Sequence, residues 1–214
     1  MKIRWDWIAG NLDEIAGATL DHLWLTLIAV GVGFALSLAL GLAAYRWRPL
    51  YGPVAGVAGL LYTIPSLALF AVLVPFTGLS ILTAEIGLVS YTLLILVRGV
   101  VSGLDGVPHD AVEAAMGMGY TARQRLARVE LPLAIPVIIA ALRLATVTTI
   151  GLVMVTALIG EGGLGQLMLR GFNRGFPTMV YVGVAASIAL AVALDLALVG
   201  LQRLLTPWTR ARAA

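Results

Sequence analysis

Few side chains in this 214-residue chain are equipped for chemistry. There is no cysteine, which excludes a disulfide framework, a thiolate metal site and a cysteine nucleophile. The two histidines, His22 and His109, fall in different segments and cannot share a metal ion. No Ser–His–Asp set has a common location, so no catalytic residue and no metal ligand is assigned. Lys2 is the only lysine, so the phosphate loop G-x-x-x-x-G-K-[ST] is absent. Energy for any driven process must come from a partner chain or a gradient. Gly160, Gly162 and Gly165 fit the spacing G-x-G-x-x-G, and Gly117, Gly119 and Ala122 fit its Ala-ending form. Neither set follows a strand or opens a βαβ unit, so neither is a dinucleotide site. The Gly160 cluster instead lets the chain turn back at a helix end, or lets two backbones approach closely.

Three groups of residues remain. Asp195 and Arg143 are charges inside apolar runs, where an unpaired charge is costly. Arg143 lies about ten residues into its run, counted from the side on which the Asp195 run ends, so the two are expected to pair. Pro65 interrupts another apolar run and frees a backbone carbonyl, with Tyr62, Thr63, Ser66 and Phe70 around it. With Thr148 and Thr149, and the neighbouring Thr146 and Thr156, these are expected to line a wet path between subunits. Cations passing there would meet hydroxyls and aromatic faces. The third group is a polar stretch at residues 102–133, with its own helix signals.

The elements that carry these groups cross a membrane. Sixty per cent of the residues are hydrophobic and only 12% are charged, against roughly 25% charged in a soluble domain. Mean hydropathy is +0.99. An ordinary soluble enzyme and a disordered chain are both excluded. Apolar runs cover Leu23–Leu42, Val54–Phe76, about Leu79–Val97 including Glu85, Ile135–Ile159 and Val180–Leu201. Each approaches the about 20 residues that a helix needs to span a bilayer, which predicts five spans in an all-α membrane domain covering 1–214. No period-two alternation supports a β-barrel.

The net charge is +3 and the pI is near 9.6. The placement of the basic residues points to a membrane surface, with no nucleic acid. Arg46, Arg48, Arg98, Arg123, Arg125, Arg128, Arg143, Arg203, Arg210 and Arg212 map to one side, and Lys2, Arg4, Arg170 and Arg174 to the other. The positive-inside rule makes the first side cytoplasmic, the N-terminus external and the C-terminus internal. Residues 1–20, with Trp5, Ile8, Leu12 and Ile15 at helical spacing, are expected to lie on the outer surface as an amphipathic segment. Small-residue pairs, Ser37 with Gly41 and Gly52 with Gly56, permit close helix contact and point to self-association.

The 102–133 stretch reads as two short helices with a glycine elbow. Pro108 opens the first, and Val112, Ala115, Met116 and Gly119 recur on one face. Gly119 ends it. Thr121-Ala122-Arg123-Gln124 is a capping box for the second, and Pro132 and Pro136 mark the start of the fourth span. Small residues beside Met116 suit docking into a groove on another protein.

Glu113-Ala114-Ala115, three residues, Gly119, nine residues and Val129-Glu130-Leu131-Pro132 resemble the EAA motif of ABC importer membrane subunits, with Val129 in place of Ile. His22 to Val30, Thr63 to Leu69 and Leu131 to Pro136 resemble the osmoprotectant branch, which serves glycine betaine, carnitine, choline and proline betaine. Gly162-Gly163-Leu164-Gly165 is similar to that branch and to methionine-type permeases. The resemblance covers nearly the whole chain. It implies a type I ABC importer transmembrane domain in a bacterial or archaeal plasma membrane. It also implies a coupling helix in which Glu113, Ala114, Ala115, Met116, Gly119, Leu131 and Pro132 meet an ATP-binding subunit. ATP and magnesium would be used by that subunit, and this chain would hold no cofactor and perform no catalysis. A second permease subunit and an extracytoplasmic solute-binding protein would complete the assembly. A methionine or other amino-acid importer permease is the nearest alternative. A gradient-driven transporter or channel is a distant one, since it calls for intramembrane acid–base groups and no docking loop.

Overall fold

The computed structural model describes residues 3–208; Lys2, Arg210 and Arg212, three of the charges used to orient the chain, lie outside the described residues. The described residues are helical throughout, with no strand among them. A short helix α1 (Trp5–Gly10) precedes α2 (Leu12–Arg46). A 3-10 turn at Arg48–Leu50 leads into α3 (Tyr51–Thr63) and α4 (Ser66–Thr77). Then come α5 (Ile81–Asp105), α6 (His109–Gly117), α7 (Ala122–Arg125) and α8 (Leu131–Val153). A 3-10 turn at Val155–Ile159, α9 (Leu164–Asn173) and α10 (Pro177–Leu205) complete the chain.

Four helices are long and apolar enough to cross a membrane, and α3 with α4 forms a fifth crossing if the bent pair is one span. The expected second span is therefore not a kinked helix but two helices at 97°. The cause is local. Pro65 has no N–H and disfavours helical geometry in the residue before it, and Ile64 accordingly sits at φ −67°, ψ 128°.

The first span starts earlier than hydropathy predicts. Residues from Leu12 onward belong to a 35-residue helix, about 52 Å at 1.5 Å per residue, so only Trp5–Gly10 forms a separate N-terminal helix. The amphipathic segment expected over 1–20 is thus divided at Asn11, whose Nδ2 donates to the Trp7 carbonyl at 2.7 Å. Contacts with the start of α10 hold α1. The Arg4 amide donates to Thr178 Oγ1 at 3.2 Å, and Trp7 meets Phe176 edge-on at 5.4 Å.

The bundle is built on α2, α5 and α8. Glycines on α2 and α5 are why they pack so closely. A Cβ at Gly33 would stand 1.9 Å from Thr92 Oγ1, and one at Gly41 would stand 2.6 Å from Val100 Cγ1. These pairings make α2 and α5 run parallel. Gly99 faces Ala141 on α8, where an added Cβ would meet the Ala141 Cβ at 2.1 Å, and Gly103 faces Ala134, so α8 runs antiparallel to them. Ser37 and Gly41 are therefore spent on contacts within the chain rather than on self-association, while Gly52 and Gly56 face open space. One core cluster gathers Leu25, Ala29, Phe70, Ala84, Leu88, Val153 and Ile159. A second, under the 106–130 loop, gathers Val100, Leu104, Ala134 and Ile138. In α10 only 6% of the most apolar stretch is buried, which leaves that helix facing lipid or another subunit.

Candidate functional site

The 106–130 loop is built by capping. Gly119 has φ +80°, its amide donates to Met116 O at 2.9 Å, and the Tyr120 amide donates to Ala115 O at 3.1 Å. Those two bonds form a Schellman cap, which requires a left-handed residue at this point. Two residues on, Gln124 N donates to Thr121 Oγ1 at 3.3 Å and Thr121 N donates to Gln124 Oε1 at 2.9 Å, completing the capping box. The second loop helix differs from expectation in one respect. It does not stop before the fourth span but runs into it through a π-helical turn at Leu126–Glu130, giving a continuous path Ala122–Ile159. Pro132 stands in the first turn of α8 directly after the wider turn, and Pro136 lies inside α8, each lacking the N–H an α-helix would use.

The residues expected to couple to a partner separate into two sets. Glu113, Ala114, Met116 and Gly119 are exposed. Ala115 is fully buried, and Leu131 packs on the second core cluster, with Pro132 half-buried beside it. The first set is a surface of small side chains with two methionines, Met116 49% and Met118 66% exposed. The second holds that surface to the bundle. Glu113 is paired only along its own helix, with His109 Nδ1 at 3.1 Å. Glu130, a variable position within the motif spacing, is buried and bonded to Arg125 Nε at 2.5 Å. Reading the motif alone misses this residue; an acid between two apolar motif positions was the available signal.

Arg143 on α8 and Asp195 on α10 are brought together. Nε donates to Oδ1 at 2.7 Å and Nη2 to Oδ2 at 2.8 Å, a two-point contact that ties the sparsely buried α10 to the bundle.

At the Pro65 break, Tyr62, Thr63 and Pro65 are exposed and Ser66 is half-buried. Thr63 Oγ1 donates to Leu60 O at 2.7 Å, and the Tyr91 hydroxyl donates to Ile64 O. Tyr91 also meets Tyr62 edge-on at 5.8 Å. Tyr91 thus satisfies a carbonyl that the break exposes, and no sequence pattern pointed to it. Two of the expected lining residues are buried inside this chain. Phe70 is wholly buried in the first core cluster against Gly87, and Thr149 is buried with its hydroxyl bonded to Ala145 O at 2.8 Å. Thr148 is half-buried and bonded to Leu144 O at 2.8 Å. A hydroxyl bonded back to its own helix is an ordinary way to place threonine in a membrane span.

His22 is buried, with Nε2 3.1 Å from Ile150 O on α8, and His109 is exposed at the loop, so the two histidines sit far apart in the bundle. The Gly160 cluster turns the chain between α8 and α9. Gly160, Gly162 and Gly163 all have positive φ, and a Cβ at Gly163 would lie 2.3 Å from Ala18 O on α2. Among the described residues no group of His, Cys, Asp or Glu could hold a metal ion.

Comparison with known proteins agrees with this architecture. The chain is 40% identical over 202 residues to the osmoprotectant import permease protein OsmW of Salmonella typhimurium, covering 92% of this chain and 94% of that protein. It is 34% identical to the glycine betaine/carnitine/choline transport system permease protein OpuCB of Bacillus subtilis, covering 92% and 91%. A chain of the MetNI methionine ABC transporter, crystallised in an inward-facing conformation, superposes with a TM-score of 0.83 at 24% identity, covering 92% and 98%, and so shares the fold. The model of the binding-protein-dependent transport system inner membrane component matches residues 22–211. The chain therefore belongs to that family, the inner-membrane permease subunits of ABC importers.

Proposed function

We propose that this permease serves an importer of compatible solutes bearing a quaternary ammonium group, such as glycine betaine, choline or carnitine. The observation that carries the solute class is the 40% identity, across 92% of the chain, to a permease named for osmoprotectant import. The exposed face of α6, Glu113, Ala114 and Met116 up to the Gly119 elbow, docks into a cleft on an ATP-binding subunit. That partner binds ATP and magnesium and carries the hydrolysis. Two permease subunits form the pathway between them, since five spans are few to enclose one alone. The end of the bundle bearing α6 faces the cytoplasm, in keeping with Arg46, Arg48, Arg123, Arg125 and Arg128 at that end. ATP-driven closure of the partner dimer moves α6, and the continuous helix from Ala122 to Ile159 carries that displacement into the bundle. A solute-binding protein delivers the solute at the other end, and Tyr62, Thr63, Pro65 and Ser66 border the path.

Reconstitution with the ATP-binding and solute-binding partners tests the reading. Glycine betaine or choline should stimulate ATP hydrolysis and accumulate inside vesicles. Glu113→Lys should abolish the stimulation while the ATP-binding subunit alone keeps its basal rate. Full coupling in Glu113→Lys would remove α6 from the docking role. Uptake of methionine with none of quaternary ammonium solutes would favour the amino-acid importer instead.

A further inference from the structure

At the end of the bundle remote from α6, a cavity of about 610 Å3 lies between the first turns of α2, the Gly160–Gly163 elbow and α9. Small-molecule sites commonly fall at roughly 300–1,000 Å3. Its wall carries three carboxylates, Glu14, Asp21 and Glu161, and one cation, Arg170. Arg170 Nη1 is bonded to Glu14 Oε1 at 2.7 Å, so that pair cancels. Asp21 and Glu161 have no ionic partner among the described residues, and they leave the cavity negative. Trp24 stands one turn from Asp21 on the same wall and is 64% exposed.

A second observation comes from α5. Ile81 lines the cavity, and Glu85 is the next residue on that face, one turn deeper. Both Glu85 carboxylate oxygens are buried and have no hydrogen-bond partner. Glu85 does not itself line the cavity; it lies one turn behind the lining residue Ile81. An intramembrane acid without a partner in its own chain is costly and counts as a functional group by default.

We infer that this cavity receives an organic cation of the quaternary ammonium class, with the Trp24 ring against its methyl groups and Asp21 and Glu161 supplying the attracting field. The inference rests on the solute class proposed above and adds where that head group first meets the permease. Such a cation has no N–H to donate, so an aromatic face and unpaired carboxylates are the groups that recognise it. The apolar floor of Leu25, Ile28 and Ile81 suits methyl groups and would leave a hydrated metal ion short of oxygen ligands.

The test uses the complete transporter, permease with its ATP-binding partner, in nanodiscs of phosphatidylethanolamine and phosphatidylglycerol, without the solute-binding protein. Choline chloride should produce a saturable change in tryptophan fluorescence that sodium chloride at equal ionic strength does not. The change should vanish in Trp24→Phe, and its midpoint should rise by about fivefold in Asp21→Asn. A signal that persists in Trp24→Phe, or a midpoint unmoved in Asp21→Asn, overturns the assignment. Uptake measured on the same preparation with the binding protein separates the two readings. Choline uptake without any cavity signal overturns the cavity site and leaves the solute class standing. Methionine uptake with no uptake of any quaternary ammonium solute overturns both.

Discussion

Gly119 is the sharpest point at which backbone geometry meets the proposed docking role of α6. Its φ of +80° lies in the left-handed region, and nothing stands within 4 Å of where a Cβ would be built. Gly119→Ala therefore introduces no clash, and its whole effect is the backbone preference. For an L-residue that preference costs about 1–2 kcal/mol, which at 25 °C is roughly a five- to thirtyfold shift in a local equilibrium. The equilibrium affected is the one that keeps Tyr120 N bonded to Ala115 O and Gly119 N bonded to Met116 O. Amide hydrogen exchange across residues 115–121 should accelerate by that factor in a membrane-embedded sample, while exchange in α5 stays unchanged. Solute-stimulated ATP hydrolysis of the assembled transporter should fall in the same variant. Gly119→Asn should fall between wild type and Ala in both measurements, because Asn visits the left-handed region more readily. Equal exchange in wild type and Gly119→Ala would refute the strain argument. Faster exchange with undiminished coupling would show that the elbow does not set the position of α6.

Three further outcomes follow from the same geometry. Arg125→Ala leaves the buried Glu130 carboxylate with only the Tyr45 hydroxyl as partner and should cost about 2–3 kcal/mol, seen as a lower thermal midpoint; Glu130→Gln in the same background should recover part of it. Arg143→Asp and Asp195→Arg should each reduce the amount of folded protein in the membrane, and the exchanged pair should restore it; failure of the exchange would limit the contact to its present orientation. Gly99→Leu forces a side chain into the Ala141 contact and should destabilise the α5–α8 packing by at least about 1–3 kcal/mol, whereas Gly56→Leu, which faces open space, should leave the thermal midpoint of the isolated chain unchanged.

Much of the 106–130 loop was legible because its signals are local. Gly119 and the Thr121–Gln124 box each govern a few neighbouring residues, and caps form wherever the dihedral angles permit. The Arg143–Asp195 contact was legible for another reason: two opposite charges in apolar runs have few alternative partners. Division of the loop motif into exposed and buried residues was not legible. Ala114 and Ala115 are identical in type, and only the packing of α6 over the π-helical turn decides that Ala115 is covered. That Phe70 and Thr149 are buried in the chain's own packing was not legible either, because polarity and aromaticity say nothing about which side of a helix faces its neighbours.

By itself the sequence determined that the chain is an all-helical membrane protein, where its apolar runs lie, which residues cap its loop, and that the phosphate loop G-x-x-x-x-G-K-[ST] does not occur in it. Hydropathy and capping are properties of short stretches, so a linear reading reaches them. Only the tertiary structure decided that Pro65 produces a 97° turn rather than a kink, held by the Tyr91 hydroxyl on Ile64. It alone showed that Gly33, Gly41 and Gly99 are spent inside the bundle, and that Asp21, Trp24 and Glu161 meet around one cavity. Those facts depend on contacts between helices far apart in the chain, set by side-chain volume and close approach.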